Sequence, residues 1–177
     1  LRTALAMLTK AGFELRDNTL VNAKTGEPFA FEILVTNKED ERLALAYQRT
    51  LQRIGVKILI RNVDAAQYQQ RRQTFDFDMI RYTWSASLSP GNEQREYWGS
   101  KAADTRGSRN HAGIKNPVVD ALAERIIFAT DREDLVAATR ALDRVLLWNN
   151  YVVPQWHNPQ IWLAWWDKFG MPDKQPS

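Results

Sequence analysis

Three serines alternate along WSASLS: Ser85, Ser87 and Ser89 follow Trp84 directly. Hydroxyls at this spacing offer two kinds of chemistry. As nucleophiles they need a partner base and, on an α/β sheet, a sharp elbow such as G-x-S-x-G, and no such glycines surround them. As hydrogen-bonding groups they suit a polar ligand, although a serine in a turn commonly bonds its own backbone. The segment continues through PGNEQREYW, so Asn92, Glu93 and Gln94 stand close behind, with Tyr82 just ahead. Amides can pair with both the donors and the acceptors of a peptide backbone. Tryptophan adds broad apolar area with one polar handle. The residues by themselves allow two readings, a loop that grips an extended polar ligand or a packed surface loop.

Other constellations are weaker. Asp76 and Asp78 alternate with Phe75 and Phe77. They share one face of an extended segment, as a general acid and base or as the polar rim of a strand. His111 and His157 are distant in sequence and lack carboxylates at ligand spacing, so no metal site is expected. The chain has no cysteine, which excludes disulfides, thiolate metal sites and thiol nucleophiles. Gly91, Gly99, Gly107 and Gly113 do not form a phosphate-loop fingerprint. The charge is +3, with basic residues scattered rather than striped, so nucleic acid is not an expected partner. The tail IWLAWWDKF suits either a membrane interface or packing against protein outside this sequence.

These groups need elements to position them. The 177 residues, 44% apolar and 25% charged, suffice for one ordinary globular unit. Apolar spacing predicts a first helix ending at Gly12, then a short strand near Leu20–Ala23 turned at Thr25-Gly26 into a longer strand, Phe29–Thr36. Asn37 caps a helix running to Ile54, and Gly55 ends it. VKILIRNV reads as a strand, Asp64 with Gln67 as a capping box, and the next helix closes near Gln73. FDFDMIRYTW is the third main strand. Helices follow from Asn116-Pro117 to Ala129 and from Arg132 to Asn149, capped by Asp131, and Tyr151–Trp156 reads as a short strand. The pattern predicts an α/β fold, a mixed sheet with flanking helices, with the three main strands in one sheet. The segment after the third strand then sits at a carboxyl end of the sheet, where such folds bind ligands.

The stretches FDFDMIRYTWSASLSPGNEQREYWGS and GSRNHAGIKNPVVDALAERIIFATDREDLVAATRALDRVLLWNNYVVPQW, with the earlier ALAMLTKAGF and LALAYQRTLQRIGVKI, resemble the family 5 extracellular solute-binding proteins. These are peptide- and nickel-binding components of ABC importers. SLSPGNEQREYWGS resembles the microcin C and oligopeptide branch of Gram-negative bacteria. The resemblance implies two α/β lobes closing on a ligand, with no reaction and no cofactor. Residues 1–155 would form the second lobe and residues 156–177 would cross back toward the first. Both termini read as internal to a longer, periplasmic protein. Its partners would be an oligopeptide or peptide-like ligand and an ABC permease, and a lone lobe would self-associate through Trp156, Trp162, Trp165 and Trp166. The implied ligand contacts are Tyr82, Trp84, Ser85, Ser87, Asn92, Glu93, Gln94 and Asn110. Many peptide-binding relatives carry an aspartate three residues after the strand-ending tryptophan, where it pairs with the ligand's α-ammonium. Ser87 stands there instead, leaving Glu93 as the alternative anchor.

Overall fold

Side-chain caps set where four of the helices start. Asn37 accepts a hydrogen bond from the Asp40 amide at 2.8 Å, Asp64 from Ala66 and Gln67, Asn116 from Val118 and Asp131 from Asp134. Each satisfies an amide that the first helical turn leaves unpaired, at roughly 1 kcal/mol apiece. The computed structural model describes residues 1–85, 87, 89–157, 162, 164, 166, 168 and 170.

The chain runs α1 (Arg2–Lys10), β1 (Phe13–Arg16), β2 (Thr19–Asn22), β3 (Ala30–Val35), α2 (Lys38–Gln52), β4 (Lys57–Asn62), α3 (Ala65–Gln73), β5 (Met79–Ile80), α4 (Glu93–Trp98), α5 (Ser100–Ala103), α6 (Pro117–Ile127) and α7 (Arg132–Trp148). The three main strands share one parallel sheet in the order β4-β3-β5, as expected. Central β3 buries Ile33, Leu34 and Val35 in succession, because a middle strand of a covered sheet has no wet face. Leu20, Ala44, Ile54, Val56 and Ile58 join Ile33 and Val35 in one core. A second core, of Ile114, Val119, Ile126, Ala138 and Leu142, forms where α6 meets α7.

Three expectations need correction. The first concerns β1, which the sequence reading omitted. Asp17 and Asn18 both take positive φ, giving a two-residue hairpin turn between β1 and β2. The Thr25-Gly26 turn does fold β2 back, but toward a single bridge between Val21 and Pro28, and β3 joins the other sheet. The second concerns FDFDMIRYTW, of which only Met79 and Ile80 pair with β3. Phe75 has φ 56°, which breaks the extended run, and the Asp78 carboxylate accepts from the Glu32 amide at 2.8 Å. A side chain thus takes up a strand amide beside the short ladder. The third concerns Tyr151–Trp156, which is not a strand. Pro154 supplies no amide, and the segment instead lays Trp156 against the Arg81 guanidinium, 5.1 Å from the ring centroid. Its neighbours Val153 and Gln155 close a cavity of about 100 Å³ over Met79, Ile80 and the Asp40–Arg81 ion pair.

Candidate functional site

Strand β5 is short, so the chain leaves the sheet at Arg81 and carries Tyr82 and Trp84 outward from its carboxyl edge. The aromatics that follow form one continuous wall. Tyr82 meets Trp84 edge to face at 5.0 Å, and Trp84 lies tilted against Trp98 at 5.0 Å. Trp98 in turn packs against Tyr97 at 6.1 Å. Such pairs add about 0.5–1.5 kcal/mol beyond their buried area.

Hydrogen bonds fix the wall in place. The Trp84 indole donates to the Arg109 carbonyl at 3.2 Å. The Tyr97 hydroxyl donates to the Ser85 carbonyl at 3.2 Å, and the Arg109 guanidinium donates to that hydroxyl at 3.2 Å. Trp98 donates to the Gln94 amide oxygen at 3.0 Å.

His111 stands behind the wall. Its ring centroid is 4.3 Å from that of Tyr82, 6.3 Å from Phe77 and 6.4 Å from Phe75. Both ring nitrogens are buried without a hydrogen-bond partner among the described residues. Burial, joined by the positive charges of Arg72 and Arg109, lowers its pKa from 6.5 to about 4, so it is neutral at pH 7. The sequence reading missed Arg72, Arg109 and Trp98 and weighed His111 only as a metal ligand. The meeting of Tyr82 with His111 spans a long loop and left no local trace.

The predicted residues divide by what their side chains already hold. Ser85 is exposed, and its hydroxyl has no protein partner among the described residues. Ser87 is exposed but exchanges bonds with the Ser89 backbone, at 3.0 and 3.2 Å, as a turn serine does. Asn92 opens α4 with its side chain making no capping bond, so Asn92, Glu93 and Gln94 belong to a helix start rather than an open loop. The Glu93 carboxylate accepts from the Gly91 amide at 2.9 Å and from Gln94 at 3.1 Å. Desolvation raises its pKa, yet bonds from the Gly91 and Glu93 amides and from Gln94 outweigh this and hold it below 4.5. Gln94 is buried, both ends of its amide engaged.

Asn110 is fully buried. Its amide nitrogen donates to the Gly99 and Ile114 carbonyls and its oxygen accepts from the Ile114 amide, all at 2.9 Å. That amide locks the loop carrying Arg109 and His111 to the start of α5. Trp156, Trp162 and Trp166 are strongly exposed, and Trp165 lies outside the described residues. A separate open depression of about 890 Å³ lies between α4, α5 and α6, lined by Arg95, Lys101, Arg106, Asp120 and Glu124 among others.

An uncharacterized protein, y4wM, of Sinorhizobium fredii is 53% identical over 99% of this chain and 26% of its own length. A probable peptide-binding protein, YejA, of Agrobacterium fabrum is 48% identical over 99% of this chain and 29% of its own length. The chain thus spans under a third of these relatives. The fold is similar to that of the oligopeptide-binding protein AppA from Bacillus subtilis, solved with a nonapeptide. The TM-score is 0.73 at 24% identity, over 85% of this chain and 30% of that one. The profile described as bacterial extracellular solute-binding proteins, family 5 middle, matches residues 1–106. More than half of the chain carries that signature, and on this ground it belongs to the family 5 bacterial extracellular solute-binding proteins.

Proposed function

We propose that this chain forms one lobe of the substrate-binding component of an ABC importer, and that the component holds a peptide or peptide-like ligand between two lobes. The observation that carries this reading is the aromatic wall of Tyr82, Trp84 and Trp98, delivered from the carboxyl edge of a parallel sheet and fixed by the Arg109 carbonyl. Ligands of open α/β sheets bind at that edge. Ser85, exposed and without a hydroxyl partner among the described residues, follows Trp84 directly, whereas Asn92 makes no capping bond and lines the separate depression. Ser85 supplies a hydrogen bond to an extended backbone, while Ser87, Glu93, Gln94 and Asn110 hold the loop in shape. Family membership and the probable peptide-binding relative support the same ligand class.

On this reading residues 1–155 are the second lobe and the segment from Trp156 crosses to the first, which covers the exposed tryptophans. A lone lobe self-associates through them. The whole protein is periplasmic, belongs to the microcin C and oligopeptide branch, delivers its ligand to a membrane permease and catalyses no reaction. Hydrolysis by the serines has less support, since no histidine or carboxylate is hydrogen-bonded to Ser85, Ser87 or Ser89 among the described residues. The test is mass spectrometry of small molecules that co-purify with the full-length protein. Peptides or peptide conjugates are expected, and their consistent replacement by sugars or metal chelates refutes the ligand class.

A further inference from the structure

Positive charge borders the wall at Tyr82, and part of it is unspent. The Arg72 guanidinium lies 5.6 Å from the Tyr82 ring centroid. One of its nitrogens donates to the neutral Gln69 amide oxygen at 2.6 Å. Among the described residues no carboxylate lies within ion-pair distance of it. Its neighbours differ. Arg71 is held by Glu32 and Asp76, Arg81 by Asp40 and Arg95 by Glu124. Arg109 donates to the Tyr97 hydroxyl and, among carboxylates of the described residues, has a long contact to Glu96, at 3.5 Å. Arg72 and Arg109 are the charged groups that act on His111 behind Tyr82. The carboxylate of the loop, Glu93, is turned to the Gly91 amide and to Gln94.

Resting on the peptide-binding reading above, we propose that the Tyr82 end of the wall receives an anionic group of the ligand, a carboxylate, with Arg72 as the specificity-determining residue and Arg109 in support. A guanidinium has five N–H donors in a fixed fork, and Gln69 engages one side of it. The remaining donors match the two oxygens of a carboxylate, a geometry that adds orientation as well as energy. Stacking over Tyr82 holds the fork in place before the ligand arrives. A bare ammonium at the same spot meets two cations and, among the described residues, no unengaged carboxylate, and like charges brought together at an interface are strongly disfavoured. This end of the site therefore selects for a carboxylate and against a free amino terminus.

The experiment is calorimetric titration of the full-length protein with three probes: N-acetyl-trialanine as the free acid, N-acetyl-trialanine amide, and trialanine amide with its amino group free. The acid is expected to bind about tenfold tighter than its amide, and the cationic probe weakest. Arg72→Gln should collapse the difference between acid and amide, while Arg72→Lys, which keeps the charge and loses the fork, should retain part of it. Melting curves of both variants, together with the exposed-site variant Arg109→Gln, separate loss of selectivity from loss of fold. Equal binding of acid and amide overturns the inference and leaves the peptide reading standing, as does tightest binding of the cationic probe. A carboxylate preference that survives unchanged in both Arg72→Gln and Arg109→Gln also overturns it. Binding of none of the three removes the peptide reading and the inference with it.

Discussion

The His111 ring stands edge-on to Tyr82 with centroids 4.3 Å apart, and neither imidazole nitrogen has a hydrogen-bond partner among the described residues. A polar ring used as an apolar filler makes stability sensitive to acid. Its folded pKa, about 4, lies below the 6.5 of the unfolded chain. The unfolded state therefore takes up the proton first as pH falls. The His111 contribution is complete above pH 6.5 and is lost between there and about pH 4. The full linkage is about 3 kcal/mol, and partial solvent access reduces it to roughly 1–2 kcal/mol. Urea titrations between pH 7 and pH 4 should show this loss, and His111→Phe should flatten it. The same substitution removes two unsatisfied polar atoms and should raise stability at pH 7 by about 1 kcal/mol.

Asn110 makes the opposite case. All three of its side-chain bonds close on buried backbone, to Gly99 and to both polar groups of Ile114. Asn110→Ala leaves those groups without partners and should cost about 2–4 kcal/mol in urea unfolding. Asn110→Asp should be no better, because a carboxylate cannot donate to two carbonyls. A cost below about 0.5 kcal/mol for Asn110→Ala would show that the loop re-forms without it.

Gly55 joins the hairpin to the main sheet. It has φ +82°, and its carbonyl accepts from the Leu20 amide at 2.9 Å. A Cβ there would sit 2.5 Å from the Leu20 nitrogen and 3.0 Å from the Thr19 carbonyl carbon. Both obstacles are backbone and cannot rotate aside. Gly55→Ala should destabilise by about 2–4 kcal/mol, through positive φ and through displacement of β1 and β2. Gly107→Ala is the control. It shares the positive φ but meets nothing within 4 Å, so only the conformational cost, about 1 kcal/mol, should appear in its melting curve.

Trp84 is half-buried between Tyr82 and Trp98, so it contributes to the wall as well as facing outward. Trp84→Phe keeps an aromatic ring but loses the bond to the Arg109 carbonyl and part of the contact with Tyr82 and Trp98. It should cost about 1 kcal/mol of stability. Trp84→Ala removes the stack and should weaken ligand binding by the full-length protein at least about tenfold, as for a buried aromatic anchor. Calorimetry with the co-purifying ligand provides the measurement. Unchanged affinity in the alanine variant would reduce Trp84 to a packing residue.

Much of the architecture was legible locally. The caps at Asn37, Asp64, Asn116 and Asp131 declare themselves by residue type, because a short polar side chain satisfies amides only two or three residues away. The runs around Ile33 and Ile58 declared buried strands, because a covered parallel sheet needs apolar side chains on both faces. Those signals determined α2, α3, α6 and α7 and the presence of the three main strands. The sequence alone did not determine how long β5 would be. Phe75, Phe77 and Met79 alternate as a strand should, yet the positive φ at Phe75 and the reach of Asp78 to Glu32 limit the ladder to two residues. Nor could it show that Glu93 and Asn110 are engaged, that Arg72 lacks a carboxylate, or that His111 backs Tyr82. Tertiary structure decided these points, for a physical reason. A side chain's charge state and free hydrogen-bonding capacity depend on what folding brings within a few ångströms, and those neighbours are distant in sequence.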